Sequence, residues 1–195
     1  MKRRVFSRRR LVLGATGLTC AVLVAPALAG AAVIGPPDLE SKWDGSRACG
    51  LDPAPCEFVN LRLPTGDVRS PVTGTITKWR VNIEEFSGTG EGPVQLQVLR
   101  RTVNEPGRPA DEFRAVRESS EEDTGINVNT FFASLKIRKG DFIGLNLLGE
   151  NTSIRQIDAG VVGIFETPLT AGDPAAPFDD FLQERQMLFN ATVKN

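Results

Sequence analysis

From residue 57 onward the chain is written in short runs of alternating apolar and polar residues, each closed by Gly, Pro, Asn or Asp after about ten residues. A strand side chain changes face at every residue, so such a run buries one face and wets the other, whereas a helix needs its apolar residues three and four apart. Glu57–Leu63 reads as a first strand, closed by Pro64-Thr65-Gly66-Asp67. In Val72–Ile83 the residues Val72, Gly74 and Ile76 keep one phase and Trp79, Val81 and Ile83 the other, which predicts a bulge near Thr77-Lys78. Val94, Leu96 and Val98 mark the next strand, and Phe113–Glu118 a shorter one. Phe131, Ala133, Leu135 and Ile137 share a phase, as do Ile143, Leu145 and Leu147. Val161–Glu166 and Gln186–Val193 complete the set, and only Phe178–Gln186 leaves room for one or two helical turns. The expectation is an all-β fold: an antiparallel β-sandwich, jelly-roll-like, of eight or nine strands.

The start of the chain is organised differently. Residues 1–29 have a basic head, an apolar run from Leu11 to Leu28 and small residues at Ala27 and Ala29, the layout of an export signal cleaved after Ala29. Ser7-Arg8-Arg9-Arg10-Leu11 followed by Val12 and Leu13, with an apolar run diluted by Gly14, Thr16, Gly17 and Thr19, points to the twin-arginine route through Arg8 and Arg9. Residues 30–47, rich in Gly, Pro and polar residues, read as a flexible arm, and residues 48–195 as the sandwich domain.

Of the 23 Lys and Arg residues, six lie in residues 1–29, where there is no acid. The remainder therefore carries seventeen basic residues against 24 acidic ones, a formal net charge of −7. Nucleic acids and anionic membranes both reward clustered cations, so neither is an expected partner of such a chain. Beyond residue 29 the cysteines are Cys49 and Cys56, in the stretch CGLDPAPC. In an exported chain this pair predicts one disulfide at the N-terminal edge of the domain, rather than the C-x-x-C of a redox centre.

The succession SPVTGTITKWRV, GPVQLQVLRR, NTFFASLKIRKGDFIGLNL and RQMLFNATV resembles a group of uncharacterised exported β-sandwich proteins of high-GC Gram-positive bacteria. The resemblance covers roughly Ser70 to Val193 and rests on framework residues. It implies a jelly-roll-like fold and carries over no activity.

Several chemistries can be tested against the residues. The chain has no histidine, which removes Ser-His-Asp and Cys-His nucleophiles and the imidazole-based metal sites. Neighbouring acids such as Glu84-Glu85 point to opposite faces if their strand continues, which is unsuited to a shared substrate. Calcium could bind an oxygen-rich loop, with Glu118, Glu121, Glu122 and Asp123 as candidate ligands, although their spacing matches no standard loop. Ser87–Gly92 is glycine-rich but leads into Pro93 and a strand, not into a phosphate-binding helix start. For sugar stacking the aromatic supply is thin, with Trp43 and Trp79, no Tyr, and Phe residues mostly at in-phase strand positions. Lys139-Gly140-Asp141 resembles an adhesion-type recognition triplet. Between two period-2 strands it reads as a tight hairpin turn, with Gly140 supplying the positive φ.

The expected protein is therefore secreted or envelope-associated and non-enzymatic. It would be a binding or structural module for an extracellular or envelope ligand, with no resident cofactor and no membrane insertion after cleavage. The alternative is a secreted hydrolase that uses paired carboxylates, acting on glycans.

Overall fold

The computed structural model describes residues 30–49, 55–84, 92–102, 112–149 and 152–195. Within them there is no helix, and all the strand pairs are antiparallel. The strands are β1 (Ala32–Ile34), β2 (Gly45–Arg47), β3 (Cys56–Arg62), β4 (Gly74–Glu84), β5 (Pro93–Thr102), β6 (Glu112–Glu118), β7 (Glu122–Asp123), β8 (Asn127–Ile137), β9 (Phe142–Leu147), β10 (Ser153–Ile157), β11 (Val161–Phe165), β12 (Ala176–Pro177), β13 (Asp180–Gln183), β14 (Gln186–Met187) and β15 (Phe189–Lys194). Nine of them span five residues or more.

They form two sheets. Sheet A holds β1, β15, β4 and β8 side by side, with β10, β14 and β2 at one end; sheet B runs β12-β6-β5-β9-β3-β11-β13, with β7 beside β5. The chain changes sheet repeatedly: β3 lies in B, β4 in A, β5–β7 in B, β8 in A, β9 in B, β10 in A, β11–β13 in B, and β14 and β15 in A. Between the sheets lies the main core, where Ile76, Trp79, Val81 and Ile83 of β4 face Phe58 of β3, Leu96 and Val98 of β5, and Leu145 and Leu147 of β9. Trp79 is fully buried, its ring 4.5 Å from that of Phe131. The phase change in β4 is met by a register shift between Ile76 and Lys78 against β8, at the position the sequence predicts.

Four expectations are corrected. Residues 30–47 are stitched into sheet A rather than forming a free arm: Ala32–Ile34 pairs with β15, Gly45–Arg47 pairs with β10, and Ile34 and Leu39 are buried. Three paired residues are too short to show a period, which hides such strands from sequence reading. The segment from Phe178 to Gln186 holds strands β13 and β14 and a turn with Glu184 at φ 54°, not helical turns. Glu122–Asp123, expected in a loop, extends the edge of sheet B by pairing with Pro93 and Val94.

The fourth correction concerns the turn between β8 and β9. These strands do not pair as a hairpin, since β8 belongs to sheet A and β9 to sheet B, so the turn arches from one sheet to the other. Both strands bury the same phase because they face one core from opposite sides. Gly140 has φ 91°, and the Asp141 N–H donates to the Arg138 carbonyl (3.0 Å), closing the turn.

The Cys49–Cys56 disulfide is formed and ties the segment just after β2 to the first residue of β3. Its loop is short, so replacing both cysteines by Ser is expected to cost about 2 kcal/mol, the low end for disulfides, readable as a shift in denaturant midpoint with unchanged slope.

Candidate functional site

The centre of sheet B, around β9, β3 and β11, is buried on both faces. Its outer face carries a second core of Val59, Leu99, Phe113, Ala115, Phe142 and Phe165, capped by Leu169 and Phe178 from the segment after β11. This explains β9, in which all six residues FIGLNL are buried, because a strand covered on both faces has no wet phase. Phe178 lies on β11 only because residue 163 is Gly: a Cβ there would stand 2.6 Å from the Phe178 ring. Gly163→Ala should therefore lift the ring and cost about 1–3 kcal/mol in thermal or denaturant unfolding.

Beside this second core the same outer face carries polar side chains that are also buried: Glu57 on β3, Gln97 on β5 and Asn146 on β9. The register sets Glu57 abreast of Asn146 and Gln97 abreast of Gly144. Gly144 is small for a reason, since a Cβ there would overlap Glu57 Oε1. The strap formed by residues 166–175 closes over them, and a single peptide residue carries both bonds. The Leu169 N–H donates to Glu57 Oε2 (3.2 Å), and Gln97 Nε2 donates to the Leu169 carbonyl (2.5 Å). The two side chains thus stand in for the neighbouring strand that Leu169 lacks. Two residues further, the Ala171 N–H donates to Glu118 Oε1 (2.5 Å).

Burial is what shapes the chemistry here. Loss of water raises the Glu57 pKa from 4.5 to about 8; the Leu169 N–H works in the opposite direction and the Glu118 carboxylate adds to the rise. Glu57 is therefore a neutral acid at neutral pH. Glu57 Oε1, Gln97 Oε1 and Asn146 Oδ1 are all buried without a partner, a group of acceptors short of donors, and the proton of a neutral Glu57 supplies one. The arrangement pairs a protonated carboxyl with a nearby carboxylate, as acid-base sites do, but Glu57 has no exposed surface and the strap is closed. Sequence alternation places Glu57 on the outer face of β3 and so hides its burial. The clue available was β9, apolar on one phase and without charge on the other.

The predicted calcium ligands are not brought together. Glu118 bonds the strap, Glu122 Oε1 accepts the Ser120 hydroxyl (2.6 Å), and Glu121 and Asp123 are exposed. Among the described residues no three His, Cys, Asp or Glu side chains converge. Glu84 is ion-paired with Arg155, while Glu85, most of Ser87–Gly92, and Arg8, Arg9 and Ala29 of the export signal lie outside the described residues. Asp141 of the Lys139-Gly140-Asp141 triplet is buried and fully engaged. Arg100 donates to both its oxygens (2.8 Å each), and the Arg138 N–H donates to Oδ2 (2.9 Å). A carboxylate held this way has no oxygen left for a receptor.

Sheet A, by contrast, leaves part of its outer face open, along β8 and the Thr75 and Lys78 rows of β4 and β15, while residues 36–39 lie over the Asn190 and Asn82 end, where the Asn190 and Asn82 side-chain amides donate to the Pro36 and Leu39 carbonyls (2.7 and 2.6 Å). Rows of abreast residues cross it: Val33, Thr192, Lys78 and Phe132; Asn190, Arg80 and Thr130; Lys194, Thr75 and Lys136. Most described Phe side chains are buried, but here Phe132 is 77 % exposed. Phe181 is also exposed, and Trp43 lies under the Arg155 guanidinium, 4.6 Å from the ring centre. An open cleft of about 430 Å³ runs between β8, from Phe132 to Leu135, and Glu118–Ser120 of sheet B.

No protein family matches the chain, and comparisons with curated proteins and with solved structures return no significant match.

Proposed function

We propose that the protein is an exported, non-enzymatic binding module of the envelope or extracellular space. The observation that carries this reading is the contrast between its two outer faces. The face with acid-base potential is sealed by a strap bonded to Glu57 and Gln97, while sheet A presents an exposed polar surface along β8 and the Thr75 and Lys78 rows. An exposed sheet surface suits contact with an extended partner and offers no enclosure for a reacting substrate. The Cys49–Cys56 disulfide agrees with an oxidising compartment.

The rival reading, a hydrolase with paired carboxylates, has one observation in its favour: neutral Glu57 neighbours the Glu118 carboxylate. It requires the strap to lift before any substrate could reach them. Co-sedimentation of the protein with isolated cell-envelope material, run beside a glycan-hydrolysis assay, separates the two. The binding reading expects retention without turnover. Turnover that is lost in Glu57→Gln would replace it with the hydrolase.

A further inference from the structure

We propose that the outer face of sheet A is the docking surface of this module and that its ligand is a sparsely charged anionic polysaccharide. The proposal rests on the binding-module reading and narrows it to a ligand class.

The charge distribution leads to it. Acidic residues outnumber basic ones in the whole chain, yet β1, β15, β4 and β8 carry Lys78, Arg80, Lys136 and Lys194 against one acid, Glu84, which Arg155 already holds. Among the described residues none of the four cations forms an ion pair. Lys136 Nζ donates to Thr75 Oγ1 (3.0 Å), and Arg80 donates to Asn190 Oδ1 (3.3 Å) and to the Pro37 carbonyl (3.4 Å). Such contacts orient a cation without neutralising it. Like charges on one sheet face repel, so the arrangement is stabilised by a partner that supplies anions.

Spacing selects the kind of anion. Strand geometry sets successive rows about 7 Å apart along β4 and neighbouring strands about 5 Å apart across the sheet. Lys194 and Lys136 flank Thr75 in one row, Lys78 stands in the next and Arg80 in the one after. Threonine hydroxyls at positions 75, 130 and 192 lie between the charges, and the exposed Phe132 ring ends the Lys78 row. Scattered cations with hydroxyls and one aromatic ring suit carboxylates or phosphates separated by neutral sugar. A nucleic acid presents contiguous phosphates and would meet repulsion from the surrounding acidic chain. A second copy docking through the same face would set cations against cations, because a two-fold interface brings each patch onto itself.

The test is a polarisation titration of the exported chain with labelled polygalacturonate oligosaccharide, against neutral dextran oligosaccharide and oligo-dT. The expected result is that polygalacturonate binds more tightly than either comparator and weakens with salt. Lys78→Ser/Lys136→Ser should bind it about tenfold more weakly, as the loss of two exposed ion pairs allows, with a salt slope smaller by about two. Arg114→Ser/Arg117→Ser, an equal charge change on exposed positions of sheet B, should bind as the wild type does. Equal losses in the two variants, or oligo-dT binding as tightly as polygalacturonate, would overturn the proposal. So would a wild-type dimer that Lys78→Ser/Lys136→Ser dissolves in sedimentation velocity, which would make the face a self-interface. If the double lysine variant still co-sediments with envelope material as the wild type does, this surface is wrong while the binding-module reading stands. If neither protein co-sediments, both fail.

Discussion

As pH rises from the ordinary carboxyl range towards about 8, native-state amide exchange at Leu169 and Ala171 is expected to accelerate in the wild-type protein, once corrected for base catalysis, and to stay flat in Glu57→Gln. The sign follows from linkage. The folded state holds the Glu57 proton up to about 8, while the unfolded chain releases it near 4.5, so between those values the native state binds more protons. Stability is then fully present below about 4.5 and falls as pH climbs through the window to about 8. Each unit of separation corresponds to about 1.4 kcal/mol, so the full window is worth several kcal/mol at its alkaline end. Lifting a short strap held by three side-chain bonds costs less than parting two sheets, so the strap opens first. Gln at position 57 keeps an acceptor for the Leu169 N–H and carries a permanent donor, which removes the titration and keeps the closure. Exchange that depends on pH identically in both proteins would rule out Glu57 as the latch.

Asp141→Ala is expected to lower unfolding free energy by about 2–3 kcal/mol in a denaturant titration. Removing one member of a fully buried pair typically costs about 3–5 kcal/mol, and Arg100 keeps 26 % side-chain exposure, which lets water recover part of its charge. The loss reaches further than the ion pair, because Asp141 also holds the Arg138 N–H, and its own carbonyl accepts from Ser70 (2.7 Å) just ahead of β4. Lys139→Ala, one residue from the same turn and exposed, should change stability by less than about 0.5 kcal/mol. The contrast separates a structural turn from an adhesion triplet: a recognition site would lose binding with either residue, whereas here only the aspartate matters, and for folding. Equal and small effects would show that the arch is held by its backbone alone.

Much of the strand content is legible in the sequence because alternation is a local property. Val94, Leu96 and Val98 face the main core as their phase requires, and the switch of phase between Ile76 and Trp79 reappears as a bulge. Candidate sites were less legible. Glu118, Glu121, Glu122 and Asp123 stand together in the chain, yet Glu118 bonds a strap that begins nearly fifty residues later, and Glu122 bonds Ser120. The cationic face was hidden for the same reason: Lys78, Lys136 and Lys194 are far apart in sequence and meet only through the pairing of β4 with β8 and β15.

By itself, then, the sequence determined most of the long strands, where β4 bulges, which cysteines are placed to bond, and that imidazole chemistry is absent, all of which depend on near neighbours or on composition. Tertiary structure decided which sheet each strand joins. It turned a predicted hairpin into an arch between β8 and β9, and converted Glu57 from an apparently wet position into a buried neutral acid. The physical reason is distance along the chain. Burial and charge state depend on what covers a residue, and Glu57 is covered by Leu169, 112 residues away.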